Sequence, residues 1–219
     1  MKKILKGVAI WLLMALAYII TNGSITALLS AHLSPEVPIQ FYYVVTAIGF
    51  VMAVGLWFLY RHLLKKFSWT VMEFDKKWLS VLGPIVLYVA LLIFQQLLPS
   101  SVESDNQQLV EKFVMGYPVV AFFLVVVTGP ILEEYLFRGL LARYLFPQLD
   151  TKFKVGLYLL LSSTIFAYFH GPTEFLQFMV YFIMGTTFGW LYLSKKDLRY
   201  PMALHVLNNA LGFALMLLV

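Results

Sequence analysis

The chain has 219 residues, of which 61% are hydrophobic and only 12% are charged. Soluble domains carry about 25% charged residues, so this composition excludes an ordinary soluble domain and favours a helical protein with several membrane spans. There is no cysteine, which excludes disulfides, thiol catalysis, iron–sulfur clusters and cysteine-ligated zinc.

Seven apolar segments follow one another along the chain, and each approaches the roughly 20 residues that a helix needs to cross a bilayer. They are Val8–Leu29, Phe41–Tyr60, Leu79–Leu98, Val114–Phe137, Val155–Phe169, Phe175–Leu193 and Tyr200–Val219. The predicted fold is an all-α transmembrane bundle of about seven spans. No internal repeat or soluble domain is visible, so residues 1–219 are expected to form a single integral membrane domain.

Within that domain, residues 1–112 contain spans without a recognisable motif, and residues 113–219 contain every motif described below. The most polar stretch, Ser100–Lys112, lies between these two parts. It is expected to be an external linker.

The basic residues alternate from loop to loop. Fourteen of the sixteen lie at the N-terminus or in the loops after the second, fourth and sixth segments. The positive-inside rule therefore predicts an N-terminus in the cytoplasm and a C-terminus outside. Topology accounts for the net charge of +5, so the expected partner is the lipid bilayer and not a nucleic acid. The sequence does not indicate an oligomeric state.

Charged residues interrupt the fourth apolar segment in the stretch GPILEEYLFRGL. On a helix, Glu134 and Arg138 are four residues apart and can form an ion pair. Glu133 is rotated by about 100° from Glu134, so it stays free to face a cavity, where a carboxylate suits a general base. A simpler alternative places all three residues at the cytoplasmic interface, with the span ending near Phe137 and Arg138 snorkelling to water.

Further polar residues lie in later apolar segments. Phe166 and His170 are four residues apart, and so are His205 and Asn209. A carboxylate can activate water, and histidine and asparagine can donate hydrogen bonds to an oxyanion. Glu133, His170 and His205 are equally the candidate ligands of a zinc ion. One point conflicts with a shared site, because His170 lies near the far end of its span whereas His205 lies less than two turns into the last one.

Three motifs, E-E-x-x-x-R, F-x-x-x-H and H-x-x-x-N, occur in this order on successive spans. Together they resemble the CAAX protease and bacteriocin-processing (CPBP, or Abi) family of intramembrane proteases, which includes the type II CAAX prenyl proteases. The resemblance implies catalytic roles for Glu133, Glu134, Arg138, His170, His205 and Asn209. Glu133 corresponds to the water-activating base, Glu134 and Arg138 to an orienting pair, and Phe166 to a residue that shapes the pocket.

The same resemblance implies that His170 binds or activates the water, or a metal, and that His205 and Asn209 stabilise the oxyanion. It implies an endopeptidase that cleaves a membrane-associated peptide or protein, either without a cofactor or with a divalent metal such as zinc. The short chain and the strong positive-inside pattern favour a bacterial cytoplasmic membrane. A non-catalytic bacteriocin-immunity or binding protein and a proton-coupled transporter remain alternatives. The transporter is disfavoured because no inverted repeat is visible.

Overall fold

The computed structural model describes residues 2–32, 36–73, 78–98 and 104–218, and these residues are almost wholly helical. The helical segments are α1 Lys2–Ile25, α2 Ile39–Lys65, α3 Leu79–Leu97, α4 Asp105–Gly116, α5 Pro118–Leu145, α6 Lys152–Phe169, α7 Phe175–Lys195 and α8 Arg199–Leu218. A 3₁₀ helix, Thr26–His32, continues α1. Large apolar side chains cover much of the outer surface, including Val51, Val54, Phe58, Ile85, Val86 and Ile93. Such an apolar surface matches the hydrocarbon core of a bilayer. Helices suit that environment because their backbone polar groups are paired within the helix.

Six helices within the described residues are long and apolar enough to cross a membrane, namely α1 with its 3₁₀ extension, α2, α3, α5, α7 and α8. The predicted segment Val155–Phe169 also forms a helix, α6, which packs along α7. The chain is therefore an integral membrane protein with the predicted helical-bundle fold. The start of the stretch predicted as a linker, up to residue 103, lies outside the described residues.

Small residues allow close helix packing in the motif-bearing half. A Cβ atom added to Gly185 of α7 would lie 3.0 Å from the Cα of Ser163 in α6. One added to Gly83 of α3 would lie 2.5 Å from the ring of Trp190. These contacts hold α3, α6 and α7 together by close packing of small residues, as is common between membrane helices.

The prediction of a linker over Ser100–Lys112 is wrong for its described part, because Asp105–Gly116 forms helix α4. Ser104 caps this helix by accepting a hydrogen bond from the backbone N–H of Gln107. Phe113 and Val114 are buried against the bundle. A side-chain cap and an apolar face together stabilise a short helix that the polar composition had concealed.

The predicted end of the fourth segment at Phe137 is also wrong, because α5 continues to Leu145. Arg138 is fully buried, so it does not reach the interface as a snorkelling side chain would. Its charge is retained inside the bundle by the contacts of the candidate site.

Two short strands, one in the loop after α2 and one in the loop after α5, pair with each other. Strand β1, Thr70–Val71, pairs in parallel with β2, Gln148–Leu149, with Thr70 opposite Gln148. The pair lies at the end of the bundle where α2 and α5 terminate and α6 begins. It fixes α5 and α6 to α2 at that end.

Candidate active site

Glu133 and the two histidines of the later motifs meet in the interior of the bundle. The Nε2 atom of His170 lies 3.9 Å from Oε2 of Glu133, and Nε2 of His205 lies 3.8 Å from the same oxygen. The predicted convergence of three helices is therefore observed. The conflict of depths does not arise in the fold, since both rings reach one carboxylate oxygen.

Each histidine is oriented through its other ring nitrogen. Nδ1 of His170 lies 2.7 Å from the carbonyl oxygen of Phe166, and Nδ1 of His205 lies 3.0 Å from Oε1 of Glu134. A carbonyl or carboxylate oxygen accepts, so both Nδ1 atoms carry a hydrogen and donate it. The Nε2 atoms are consequently the ones presented to Glu133.

The second glutamate lies behind this cluster and is paired as the spacing predicts. Nη1 of Arg138 lies 3.0 Å from Oε1 of Glu134, and both side chains are fully buried. The guanidinium also donates from Nη2 to the carbonyl oxygen of Gly185 at 3.2 Å and lies 4.2 Å from the ring centre of Phe166. The cation, the aromatic face and the carboxylate fix the position of His205 through Glu134.

Wide π-helical turns surround the two glutamates, over Phe122–Thr128 and Glu134–Leu140. Pro130 lies between them and cannot donate a backbone hydrogen bond, which disrupts regular α-helical pairing. The hydroxyl of Thr128 donates to the carbonyl of Phe123, five residues earlier, at 2.9 Å. Such π segments occur often at functional sites.

Side chains from other helices bond the carbonyls of the second π segment. Trp11 of α1 donates to the carbonyl of Leu136 at 3.0 Å, and Ser162 of α6 donates to that of Phe137 at 3.1 Å. The irregular backbone is thus held in place from both sides. The direction of the neighbouring Glu133 and Glu134 side chains depends on this support.

Two predicted site residues lie away from Glu133. Phe166 does not line the cavity and instead packs behind the histidines, with its ring centre 4.5 Å from that of His170 and 5.9 Å from that of His205. Asn209 lines the cavity wall and donates to the carbonyl oxygen of Val125 at 2.8 Å. Among the described contacts, none joins Asn209 to the Glu133 cluster.

Tyr18 is a site residue that the motifs did not reveal. Its hydroxyl on α1 donates to Oε1 of Glu133 at 2.6 Å. Tyr181 of α7 is a second such residue, since its ring stacks on His170 with centres 4.3 Å apart. Neither residue has a sequence signal, because a lone tyrosine in an apolar helix is an ordinary feature of a bundle.

The cluster lies at the inner end of a cavity of about 670 Å³. Its wall is formed by α1, α3, α4, α5, α7 and α8, and carboxamide side chains recur along it. Oε2 of Glu133 is buried without a hydrogen-bond partner within the described part of the chain. An unpaired carboxylate oxygen that faces two imidazole nitrogens is suited to bind a polar reactant.

Comparison with known families agrees with the motifs. Residues 115–211 match the family described as type II CAAX prenyl endopeptidase Rce1-like. Glu133, His170 and His205 all lie within the matched part. The matched part is thus similar to the Rce1-like CAAX endopeptidase family, which is the family that the three motifs resemble.

Three curated proteins are similar to parts of this chain. The membrane-embedded CAAX protease MroQ of Staphylococcus aureus (strain USA300) is 31% identical over 123 residues, which is 55% of this chain and 49% of MroQ. YdiL of Bacillus subtilis (strain 168) is 33% identical over 107 residues, 49% of this chain and 41% of YdiL. The UPF0177 protein YvdC of Lactococcus lactis subsp. lactis (strain IL1403) is 27% identical over 127 residues, 58% of this chain and 47% of YvdC. The chain thus spans about half the length of these curated relatives, and no solved structure matches it.

The side chains at this site are of the kinds that bind zinc, but the distances between their nitrogen and oxygen atoms are longer than those between zinc ligands. Two imidazole nitrogens and a carboxylate oxygen are groups that zinc prefers, and two ligands of a tetrahedral zinc are about 3.3–3.4 Å apart. The nitrogen–oxygen distances here are 3.8 and 3.9 Å. Among the described residues, no three histidine or acidic side chains are arranged to hold a metal ion. The side chains as placed do not fit zinc.

Proposed function

We propose that the protein is an intramembrane endopeptidase that hydrolyses a peptide bond in a membrane-associated peptide or protein. The observation that carries this proposal is the convergence of Glu133, His170 and His205 at the inner end of a cavity lined by both polar and apolar side chains. The family of residues 115–211 and the name of MroQ support the same reaction class. These three side chains supply a base and hydrogen-bonding groups for hydrolysis.

In the proposed reaction, one water donates its two hydrogens to Oε2 of Glu133 and Nε2 of His170. Glu133 removes a proton as the water oxygen attacks the substrate carbonyl, and later gives it to the leaving nitrogen. Tyr18 occupies Oε1 of Glu133, so the other oxygen acts as the base. Nδ1 of His170 donates to a carbonyl, which leaves its Nε2 lone pair to hold the water.

His205 is proposed to stabilise the oxyanion in its protonated form. The buried cluster contains two carboxylates, on Glu133 and Glu134, and one guanidinium, on Arg138. In this role both ring nitrogens of His205 carry a hydrogen, and a carboxylate oxygen lies near each of them, Oε1 of Glu134 at 3.0 Å from Nδ1 and Oε2 of Glu133 at 3.8 Å from Nε2. Its Nδ1–H then donates to Glu134 and its Nε2–H is free to donate to the developing oxyanion.

Asn209 is proposed as the second oxyanion donor. One N–H of its amide donates to Val125, and a carboxamide has two. The remaining N–H belongs to a side chain that lines the same cavity one helical turn beyond His205. Substrate binding would need to bring the carbonyl between these two groups.

The proposal is tested by comparing peptides of the membrane proteome in cells that express wild type, Glu133→Gln or Glu111→Gln. Glu111 lies on the exposed face of α4, so its substitution makes the same chemical change outside the cavity. We expect newly formed peptide ends with wild type and Glu111→Gln, and loss of these ends with Glu133→Gln at equal expression and thermal stability. Cleavage that persists in Glu133→Gln would show that Glu133 is not the base for that cleavage. A cellular phenotype that persists while neither variant changes any cleavage would instead indicate a binding or immunity protein.

A further inference from the structure

The residues around the cavity come from one end of the bundle. At its mouth lie the end of α3, the start of α4 and the end of α8, represented by Gln96, Gln107 and Met216. Glu133 and His205 form the inner end. Among the described residues, none from the α2–β1 or β2–α6 loops at the opposite end lines the cavity. As far as the described residues show, the cavity therefore opens toward the end of the bundle where α3 and α8 end and α4 begins.

The opposite end is closed by specific contacts. Trp69, beside β1, stacks on Tyr192 of α7 with ring centres 4.8 Å apart and planes at 7°. Arg143, near the end of α5, donates to the carbonyl oxygens of Leu64 and Phe67. Together with the β1–β2 pair, these contacts connect α2, α5 and α7 beneath the glutamates.

The two ends of the bundle differ in charge. The closed end carries the basic groups of the loops after α2, α5 and α7, including Lys65, Lys66, Lys154 and Lys196. The open end carries Glu36, Asp105, Glu111 and Glu174, with Lys112 as its basic residue within the described part of the chain. Lys and Arg accumulate in loops on the cytoplasmic side of a membrane. The closed end is thus assigned to the cytoplasm.

We propose that the cavity opens to the non-cytoplasmic side of the membrane, so that its substrate is an uncharged stretch of a peptide or protein exposed there. The proposal rests on the proposed protease function and adds the direction of access and the substrate class. It follows from two independent features, the position of the mouth and the charge of the closed end.

The chemistry of the wall accounts for the substrate class. The wall combines apolar side chains, such as Leu92 and Phe213, with carboxamides from five helices. The carboxamides are Asn22 on α1, Gln95 and Gln96 on α3, Asn106 and Gln107 on α4, Gln177 on α7, and Asn208 and Asn209 on α8. Carboxamides donate and accept hydrogen bonds as a peptide backbone does. Glu133 is the one acidic residue in the described lining, and no lysine or arginine is among those residues. A charged substrate side chain would lose water there without gaining a partner.

The absence of cysteine from the chain allows the direction of access to be measured on single-cysteine variants. Gln107→Cys and Gln96→Cys each place a thiol at the mouth, and Lys66→Cys places one on the exposed surface of the closed end. Intact cells and disrupted membranes are treated with a membrane-impermeant maleimide. We expect the two mouth variants to be labelled in intact cells and Lys66→Cys to be labelled only after disruption.

The reverse pattern, with Lys66→Cys labelled in intact cells and the mouth variants protected, overturns the proposal. Attachment of a bulky maleimide to Gln107→Cys from outside should also reduce the formation of new peptide ends at least several-fold, and unchanged cleavage contradicts access through this mouth. Cut sites flanked by charged residues contradict the substrate class. These outcomes are separate from failure of the protease function, which is read from Glu133→Gln whatever the labelling pattern.

Discussion

Substitution of Arg138 by methionine tests how much the buried ion pair contributes to folding. Arg138 and Glu134 are fully buried with 3.0 Å between Nη1 and Oε1, and methionine keeps an apolar chain in the same space. Loss of one partner of a buried pair costs about 3–5 kcal/mol, or a factor of about 10²–10⁴ in the folding equilibrium. His205 stays 3.0 Å from the same carboxylate oxygen, so we expect a value in the lower half of this range.

The assay is unfolding in mixed micelles, followed by the fluorescence of the five tryptophans. The double variant Glu134→Gln/Arg138→Met removes both charges and should recover most of the lost stability, because it leaves no uncompensated ion. Arg199→Met is the matched control, since Arg199 pairs with Asp197 on the surface, and its stability should be close to that of wild type. A double variant as unstable as Arg138→Met would refute the reasoning.

The double variant also separates folding from function. Glu134 accepts a hydrogen bond from Nδ1 of His205, and glutamine accepts that bond without a negative charge to stabilise a protonated ring. We therefore expect the double variant to fold and to remain nearly inactive. Full activity in a stable double variant would show that Glu134 is needed for folding alone.

Two further predictions concern the groups around Glu133. Tyr18→Phe should lower kcat about 10–100-fold with little change in KM, because a hydrogen bond to a charged group contributes about 1.5–3 kcal/mol and Tyr18 acts by positioning Glu133. Tyr60→Phe is the control, because it removes a hydroxyl bonded to the Met14 carbonyl at 2.8 Å and outside the Glu133 cluster. This variant should keep the wild-type kcat. An equal decrease of kcat in both variants would indicate that Tyr18 has a structural role. Extraction of divalent metals with EDTA or 1,10-phenanthroline should leave the rate of peptide cleavage unchanged, with less than one zinc per chain by mass spectrometry. A rate that falls on chelation and returns with zinc would show that the histidines and Glu133 move together to bind a metal.

The spacing of Glu134 and Arg138 in the sequence was enough to predict their ion pair. Residues four apart lie on the same side of a helix, and they stay close when the turn between them is slightly widened. Glu134 and Arg138 remain within 3.0 Å even though π-helical turns replace the regular helix. The G-x-x-x-G spacing of Gly185 and Gly189 likewise places two small residues on one face of α7. Both meet α6 closely, at Ser163 and Leu159.

Long-range contacts could not be predicted in this way. The bond from Tyr18 to Glu133 joins residues 115 positions apart, and no local pattern specifies which faces of α1 and α5 meet. The end of α5 was missed for a related reason. Hydropathy places a boundary at the first strong charge, whereas Arg138 is held inside the bundle by Glu134, the Gly185 carbonyl and the Phe166 ring.

The motif-free helices are also part of the site, although the family match begins at residue 115. Trp11 bonds the Leu136 carbonyl in the second π segment, and Tyr18, two turns further along α1, bonds Glu133. A fragment limited to residues 115–211 would lose both donors, leaving a backbone carbonyl exposed in an irregular helix and the base free to rotate. The N-terminal helices therefore do more than anchor the chain in the bilayer. They hold the irregular part of α5 in the one orientation that directs Oε2 of Glu133 toward both histidines.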